Sequence, residues 1–403
     1  MGDIYEKSHI TIAATASQDS NGGLFFSDRP ITRRLEKHPY LYIQTVLRKF
    51  PIIAGMEPST SMPLLTRAWV YQERRLSQRT IHFGKHHVYW ECQTDFASED
   101  SREDKTWNKH ATDLENLDCI GWGDKCVDHK IYWQKTVMEY TILQLTYESD
   151  RLPAIAAVVD RMLRLQRVDD VYISGLWKSS ILSDLLWFAR DNKPCPARIA
   201  PSWSWVAAQN SAITWDGFQF TKETKVVSLE YTVVGPANLG EVTDASITLM
   251  VPVLNLTGFD RLDPAETTCR WSTQFDDILK AAEIMERFCQ NNLEIFNIWF
   301  WPNYDLNTAN PPFKSGSTIK LLVARDSSDS MGGIVVQQTS NAPEYRRIGF
   351  LMVDLRTTKP EMARKKDDDL ARSNRDGEEK AEEMEDDLTR LILSLPMEEV
   401  KIV

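Results

Sequence analysis

The sequence predicts an α+β protein with a helical middle and a β-rich second half, on three observations. Apolar residues recur at helical spacing in three stretches between residues 131 and 189. Between residues 211 and 353, six stretches alternate or carry β-branched runs instead. Thirteen tryptophans fall in clusters and supply aromatic packing centres. With 403 residues, 42% of them hydrophobic, the chain can bury a core without covalent staples, and its length suggests two or three domains.

Taken in order, His9–Ala14 is rich in β-branched residues and reads as a strand, and Asp19-Ser20-Asn21-Gly22-Gly23 is turn chemistry. A second strand is expected at Tyr40–Leu47, between loops that include Pro51 and Pro58. Thr66 can cap a helix over Arg67–Leu76, on which Leu65, Trp69, Gln72 and Leu76 share one face. A hairpin follows, Arg79–Phe83 and His87–Cys92, joined through Gly84-Lys85 with positive φ expected at Gly84. Alternation sends Val88, Trp90 and Cys92 to one face and His87, Tyr89 and Glu91 to the other.

Helices are expected at Ile131–Tyr147, at Ala154–Leu165 with Pro153 in its first turn, and at Ser179–Ala189. The expected strands are Ser211–Trp215, Lys225–Val233, Ser246–Leu254, Thr318–Ala324, Gly333–Gln337 and Arg346–Val353, interrupted by a helix at Gln274–Asn291. Residues 357–403 read as a charged, mostly disordered tail, because Lys365–Asp369 and Glu378–Asp387 have too little apolar surface to fold alone. Leu388, Leu391, Ile392 and Leu395 form a short amphipathic helix there, expected to pack back on its own protein.

The net charge of −11 argues against nucleic acid and against anionic membrane surfaces, since both draw on clustered Lys and Arg. Apolar stretches such as Leu152–Val159 are too short to cross a bilayer, so no membrane insertion is expected. Six scattered cysteines without a signal-peptide pattern point to a reducing, cytoplasmic setting. Neither Gly-x-x-x-x-Gly-Lys-[Ser/Thr] nor Gly-x-Gly-x-x-Gly occurs, and no cofactor is expected.

Several motifs stand in a definite order. Arg67, Trp69, Gln72, Glu73, Leu76, Ser77 and Arg79 precede Trp90-Glu91-Cys92. Then come Leu152-Pro153-Ala154-Ile155; Tyr172 with Gly175-Leu176-Trp177; Leu185-Leu186-Trp187; Pro201-Ser202-Trp203-Ser204-Trp205; and Tyr345-Arg346-Arg347-Ile348-Gly349. In this order they resemble the fungal heterokaryon-incompatibility (HET) family over most of residues 1–355. The resemblance lacks the family's front, a Leu-Ser-Tyr-x-Trp-Gly strand and an Asp-x-Leu-Cys-Ile segment. Met1-Gly2-Asp3-Ile4-Tyr5 instead resembles a later Met-x-x-Ile-Tyr segment, which implies a truncated paralogue or a gene model started late. The implied layout is a trailing part of a HET domain and connector (1–65), a helix–hairpin and helical region (66–205), a β-rich region (206–356) and the tail (357–403).

The resemblance implies a part in fungal non-self recognition and programmed cell death, through contact with a protein partner. Two alternatives stand beside it. One is a hydrolase of a glycosidic or N-glycosidic bond, such as that of NAD, with Glu73 and Glu91 as acid and base near Arg67; this chemistry needs two carboxylates with split pKa values. The other is a non-functional remnant whose strand His9–Ala14 is an unpaired edge. Against the hydrolase, an Arg–Glu pair locking the helix to the hairpin explains the same residues. Cys119, Cys126 and His129, with His86, His87 and Cys92, offer zinc donors without the paired knuckles of structural zinc sites, so no metal is assigned. Ser202 and Ser204 lack a Gly-x-Ser-x-Gly elbow, and on a strand they would face away from Trp203 and Trp205, which read as core.

Overall fold

The computed structural model describes residues 2–26, 33–35, 38–43, 62–93, 96–99, 129–165, 170–190, 200–208, 211–235, 241–256, 293–303, 318–326, 330–357 and 388–403. The fold has both helices and strands, and its second half is β-rich. The chain divides into two units, Met1–Tyr172 and Ile173–Val403. The expected segment 66–205 therefore contributes to both. The expected Gln274–Asn291 helix, the loops at Pro51 and Pro58, and Lys365–Asp369 lie outside the described residues.

The first unit comprises α1 (Gly2–Lys7), β1 (Thr11–Ala13), β2 (Arg33–Leu35), β3 (His38–Ile43), a 3-10 turn (Pro63–Thr66), α2 (Ala68–Leu76), β4 (Arg79–Phe83), β5 (Val88–Cys92), β6 (Phe96–Ser98), α3 (His129–Thr141) and α4 (Ala156–Leu165). β2 and β3 pair as a separate hairpin. The main sheet runs β1-β4-β5-β6, with β1 parallel to β4 and the remaining pairs antiparallel. β1, at the sheet's edge, is paired on one side, Thr11 to Thr80 through Ala13 to His82.

Two local expectations are corrected here. Thr66 does not cap α2: its hydroxyl donates to Pro63 O at 2.7 Å, closing the 3-10 turn. Arg67 is the N-cap residue, and Gln144 straps the entry by accepting from Ala68 N at 2.9 Å and donating its own N–H to Thr66 O at 2.7 Å. Gly84 is not a positive-φ turn residue, because its N–H donates to His87 O at 3.0 Å, leaving Lys85-His86 as the central pair. A Cβ on Gly84 would lie 2.9 Å from both His87 O and the Tyr89 ring, so the glycine admits a close approach.

The second unit opens with a hairpin at the junction, β7 (Tyr172–Ile173) and β8 (Leu176–Trp177), followed by α5 (Ile181–Asp184). β9 (Phe188–Ala189) pairs with β10 (Ile213–Thr214). The large sheet contains β11 (Gln219–Phe220), β12 (Lys225–Val234), β13 (Glu241–Leu256), β14 (Leu293–Pro302), β15 (Ile319–Arg325), β16 (Ser330–Gln338), β17 (Glu344–Thr357) and β18 (Met397–Ile402). Its order is β11-β15-β16-β17-β18-β13-β12, with β14 on β17 and a further pairing of β13 with β15. That last pairing closes β13, β15, β16, β17 and β18 into a ring. Ile247, Leu249, Val251, Leu322, Ile334, Val335, Phe350 and Ile402 on these strands are all buried. Gly333 has φ 150°, and a Cβ there would stand 1.9 Å from Leu322 O, so β15 and β16 meet where only glycine fits.

Three further expectations change in this unit. Pro201–Trp205 is a turn rather than a strand, because Ser204 caps a 3-10 turn (Trp205–Ala207) by accepting from Val206 N at 3.1 Å. The helix expected over Ser179–Ala189 stops at Asp184, since Arg347 claims the carbonyls of Leu185 and Trp187. The end of the expected disordered tail is strand β18, and Leu388, Leu391, Ile392 and Leu395 before it are buried. Alternation with β-branched Val400 and Ile402 outweighs the charge in Glu398-Glu399 and Lys401, which sit on less buried positions.

Candidate functional site

The sequence singled out α2 and the β4–β5 hairpin, and their side chains meet several partners. Trp69 Nε1 donates to Asp150 Oδ2 at 3.0 Å. Gln72, buried, accepts from Ala157 N at 3.2 Å and so satisfies a free amide in the first turn of α4. Arg67 is exposed at the start of α2. Arg79 is exposed opposite Cys92, and Trp90 is half-buried between Ile81 and Ala97.

Glu73 and Glu91 belong to different sets of partners. Burial raises the pKa of the Glu73 carboxyl, opposed by a hydrogen bond from Tyr5 and by the charge of Arg67. Burial, with the Glu73 charge adding, pushes Tyr5 up to about 12. Glu91 instead accepts from Arg74 Nε at 2.7 Å and lies 2.8 Å from His82 Nε2. Burial alone would raise Glu91, but the Arg74 charge and the His82 hydrogen bond outweigh it and hold the carboxyl at about 2. The charged lock of this hairpin is therefore Arg74–Glu91, whereas the sequence suggested Arg67.

A continuous polar chain results. Burial lowers the His82 pKa, with the Glu91 hydrogen bond opposing. A neutral ring facing an ionised Glu91 carries its proton on Nε2, so Nδ1 accepts from the Thr15 hydroxyl 3.0 Å away. Thr15, His82, Glu91 and Arg74 thus tie the loop after β1 to β4, β5 and α2. The order of groups resembles a nucleophile–base–acid relay. Thr15 is 0% exposed and His82 is 1% exposed, however, so in this conformation a substrate cannot reach the hydroxyl. A second polar lock joins α2 to α3: Tyr71 OH donates to Glu139 at 2.9 Å, and Arg75 bonds both Glu139 and the Tyr71 oxygen.

The remaining motif residues build the second unit. Ser174 (φ 46°) and Gly175 (φ 97°) form the two-residue turn between β7 and β8. Onto it close Ser204, whose Oγ donates to Ser174 O, and Trp205, whose Nε1 donates to Gly175 O at 2.7 Å. A Cβ on Gly175 would stand 2.6 Å from that indole nitrogen. Trp187 Nε1 donates to Trp203 O at 2.9 Å. Trp177, Trp187, Trp203 and Trp205 are each 0% exposed. Ser202 Oγ donates to Val403 O and accepts from Arg347 N, so both serines serve the backbone.

The sequence reading gave no role to Thr15, Arg74, His82 or Arg347. Arg347 is fully buried with its guanidinium 3.7 Å from the Trp187 ring centre. Burial lowers its pKa, and Nε has no hydrogen-bond partner among the described residues. The available signal was alternation: His82 and Arg347 occupy inward positions of their strands. Of the zinc donors, Cys119 and Cys126 lie outside the described residues. Among the described residues, no group of three or more His, Cys, Asp or Glu could hold a metal ion, and no helix is long and apolar enough to cross a membrane.

Among known proteins, the family described as heterokaryon incompatibility protein (HET) matches residues 1–73. No curated protein and no solved structure matches the chain. The matched segment takes in β1, Thr15 and α2 as far as Glu73, and over these residues the chain is similar to the heterokaryon incompatibility (HET) family.

Proposed function

We propose that this protein acts in heterokaryon incompatibility, the fungal non-self response that ends in regulated cell death, and that it does so by binding a protein partner. The HET match over residues 1–73 carries the reading. The polar side chains beside it favour contact over catalysis, because Glu91 is ionised and paired while Thr15 is sealed. One face of the main sheet adds support: Ile12, Ile81 and Trp90 are in register across three strands, with Phe83 beside them. Ile12 is 60% exposed, and Phe25, packed edge-on against Phe83, is 76% exposed. Exposed apolar groups gathered in this way mark contact surfaces.

The test is a fusion assay between fungal strains that differ only in this gene. Viability of fused cells should fall at least tenfold when the chain is expressed on one side of an incompatible pair. The loss should be relieved by Ile12→Glu with Phe25→Glu but not by Glu73→Gln. Equal viability with and without the chain would sink the incompatibility reading. Rescue by Glu73→Gln alone, in a folded protein, would favour the hydrolase.

A further inference from the structure

β18 lies between β13 and β17, and the other strands are also linked by pairings that do not include it. It forms six antiparallel pairs with β13, Ile247 to Ile402 through Pro252 to Met397, and two parallel pairs with β17. β13 reaches β15 separately, through Val253–Leu256. Lifting β18 out therefore leaves β12-β13-β15-β16-β17-β14 continuously paired. It would bare the backbone of β13 over Ile247–Pro252 and of β17 at Glu344–Tyr345.

The segment that carries β18 has the parts of a peptide ligand. Helical residues 388–393 and the turn after them bury Leu388, Leu391, Ile392 and Leu395 on one face, while Leu393 is 61% exposed. The strand buries Val400 and Ile402. Around them the receptor supplies polar contacts: Arg325 to Thr389 at 2.7 Å, Val253 N to Pro396 O at 3.0 Å, Lys320 to Glu398, and Lys401 to Glu344 at 3.1 Å. Apolar anchors at i, i+3, i+4 and i+7 followed by strand addition combine two recurring modes of peptide recognition. In sequence, residues 358–387, rich in Lys, Arg, Asp and Glu, separate this segment from β17.

We infer that Leu388–Val403 is a separable peptide ligand of the second unit, and that the groove between β13 and β17 is its binding site. In the intact chain the covalent connection makes that contact intramolecular. Cutting the tether turns that contact into a bimolecular one, so occupancy then depends on concentration. The groove then becomes a vacant acceptor for a peptide of this pattern.

The experiment uses the full chain with a protease site inserted between Asp368 and Asp369, cut to completion and followed by gel filtration. The two pieces should co-elute. A fluorescent synthetic peptide of residues 388–403 should then replace the cleaved fragment one for one within hours. A peptide carrying Val400→Asp and Ile402→Asp should bind at least 100-fold more weakly, and the uncut chain should take up less than a tenth as much label. Precipitation of the body on cutting would overturn the inference, making β18 an inseparable part of the folding core. So would a fragment that stays bound without exchanging for days, or equal labelling of cut and uncut chains.

Discussion

The two units solve the problem of buried polar groups in different ways. The first uses ionised pairs, with Arg74 on Glu91 and Arg75 on Glu139 at the faces of α2. The second uses hydrogen bonds to backbone: Trp187 to Trp203 O, Trp205 to Gly175 O, Ser204 to Ser174 O. Its buried cation, Arg347, spends its charge on the carbonyls of Leu185 and Trp187 and on the face of an indole. An ion pair depends on protonation, whereas a carbonyl does not titrate. The Arg74–Glu91–His82 chain therefore gives the first unit a pH handle, whereas the tryptophan and serine contacts to backbone in the second carry none.

The largest effect that should sharpen this contrast is Arg347→Ala. It strands two carbonyls and opens space beside Trp187, for a cost of about 4 kcal/mol in urea unfolding followed by tryptophan fluorescence. Gly175→Val should cost about 3 kcal/mol by the same measurement, since φ 97° and the Trp205 indole both oppose a side chain there. Neither change should alter the acid-side dependence of stability on pH, which Glu91 and His82 set. A slope that changed in either variant would break the comparison.

Glu91→Gln should cost the first unit about 2 kcal/mol at pH 7, because the oxygen that accepts from Arg74 and His82 loses its negative charge. The pH dependence has a definite sign. Glu91 is depressed to about 2 in the fold, so its contribution is complete above its unfolded value of 4.5 and is lost as pH falls toward 2. His82 is also depressed, so acid favours the unfolded chain once pH drops below 6.5. Glu73, raised, works the other way near its own pKa and blunts the loss. The protection of amides in β4 and β5, relative to the intrinsic exchange rate at each pH, should fall from about pH 6.5 downward, and His82→Gln should remove the upper part of that window. The smallest effect is expected at Gln72→Ala, about 1 kcal/mol for one helix amide left without its acceptor.

Much of this arrangement was legible from alternation. The strands expected at Lys225–Val233 and Arg346–Val353 lie within β12 and β17, and the one at Thr318–Ala324 overlaps β15, which is mostly buried, whereas β12 has no buried residue. What stayed hidden was settled by partners distant in sequence. Trp203 and Trp205 are as buried as a strand face would make them, but the Ser204 hydroxyl, bonded to Ser174 and Val206, turns the chain there. Leu185-Leu186-Trp187 looks helical until Arg347 arrives from β17 to take its carbonyls. β14 passed unnoticed because Leu293–Pro302 is nearly uniformly apolar and lacks a period of two. At the candidate site, Glu91 was visible as a residue, but its true partner Arg74 was not, since Arg67 and Arg74 are equally plausible from spacing alone.

The closed ring also sets a timetable for synthesis. β13 is complete once residue 256 has been made, yet its partner β18 follows only after residue 402. At bacterial-to-eukaryotic elongation rates of about 5–20 residues per second, that interval is roughly 7–30 s. Throughout it the backbone of Ile247–Pro252 waits with one side unpaired, beside β12, which can pair as soon as β13 emerges. A nascent chain in that state offers a vacant strand position to any neighbour on the same message, so the late arrival of Met397–Ile402 is what guards the ring against its own copies.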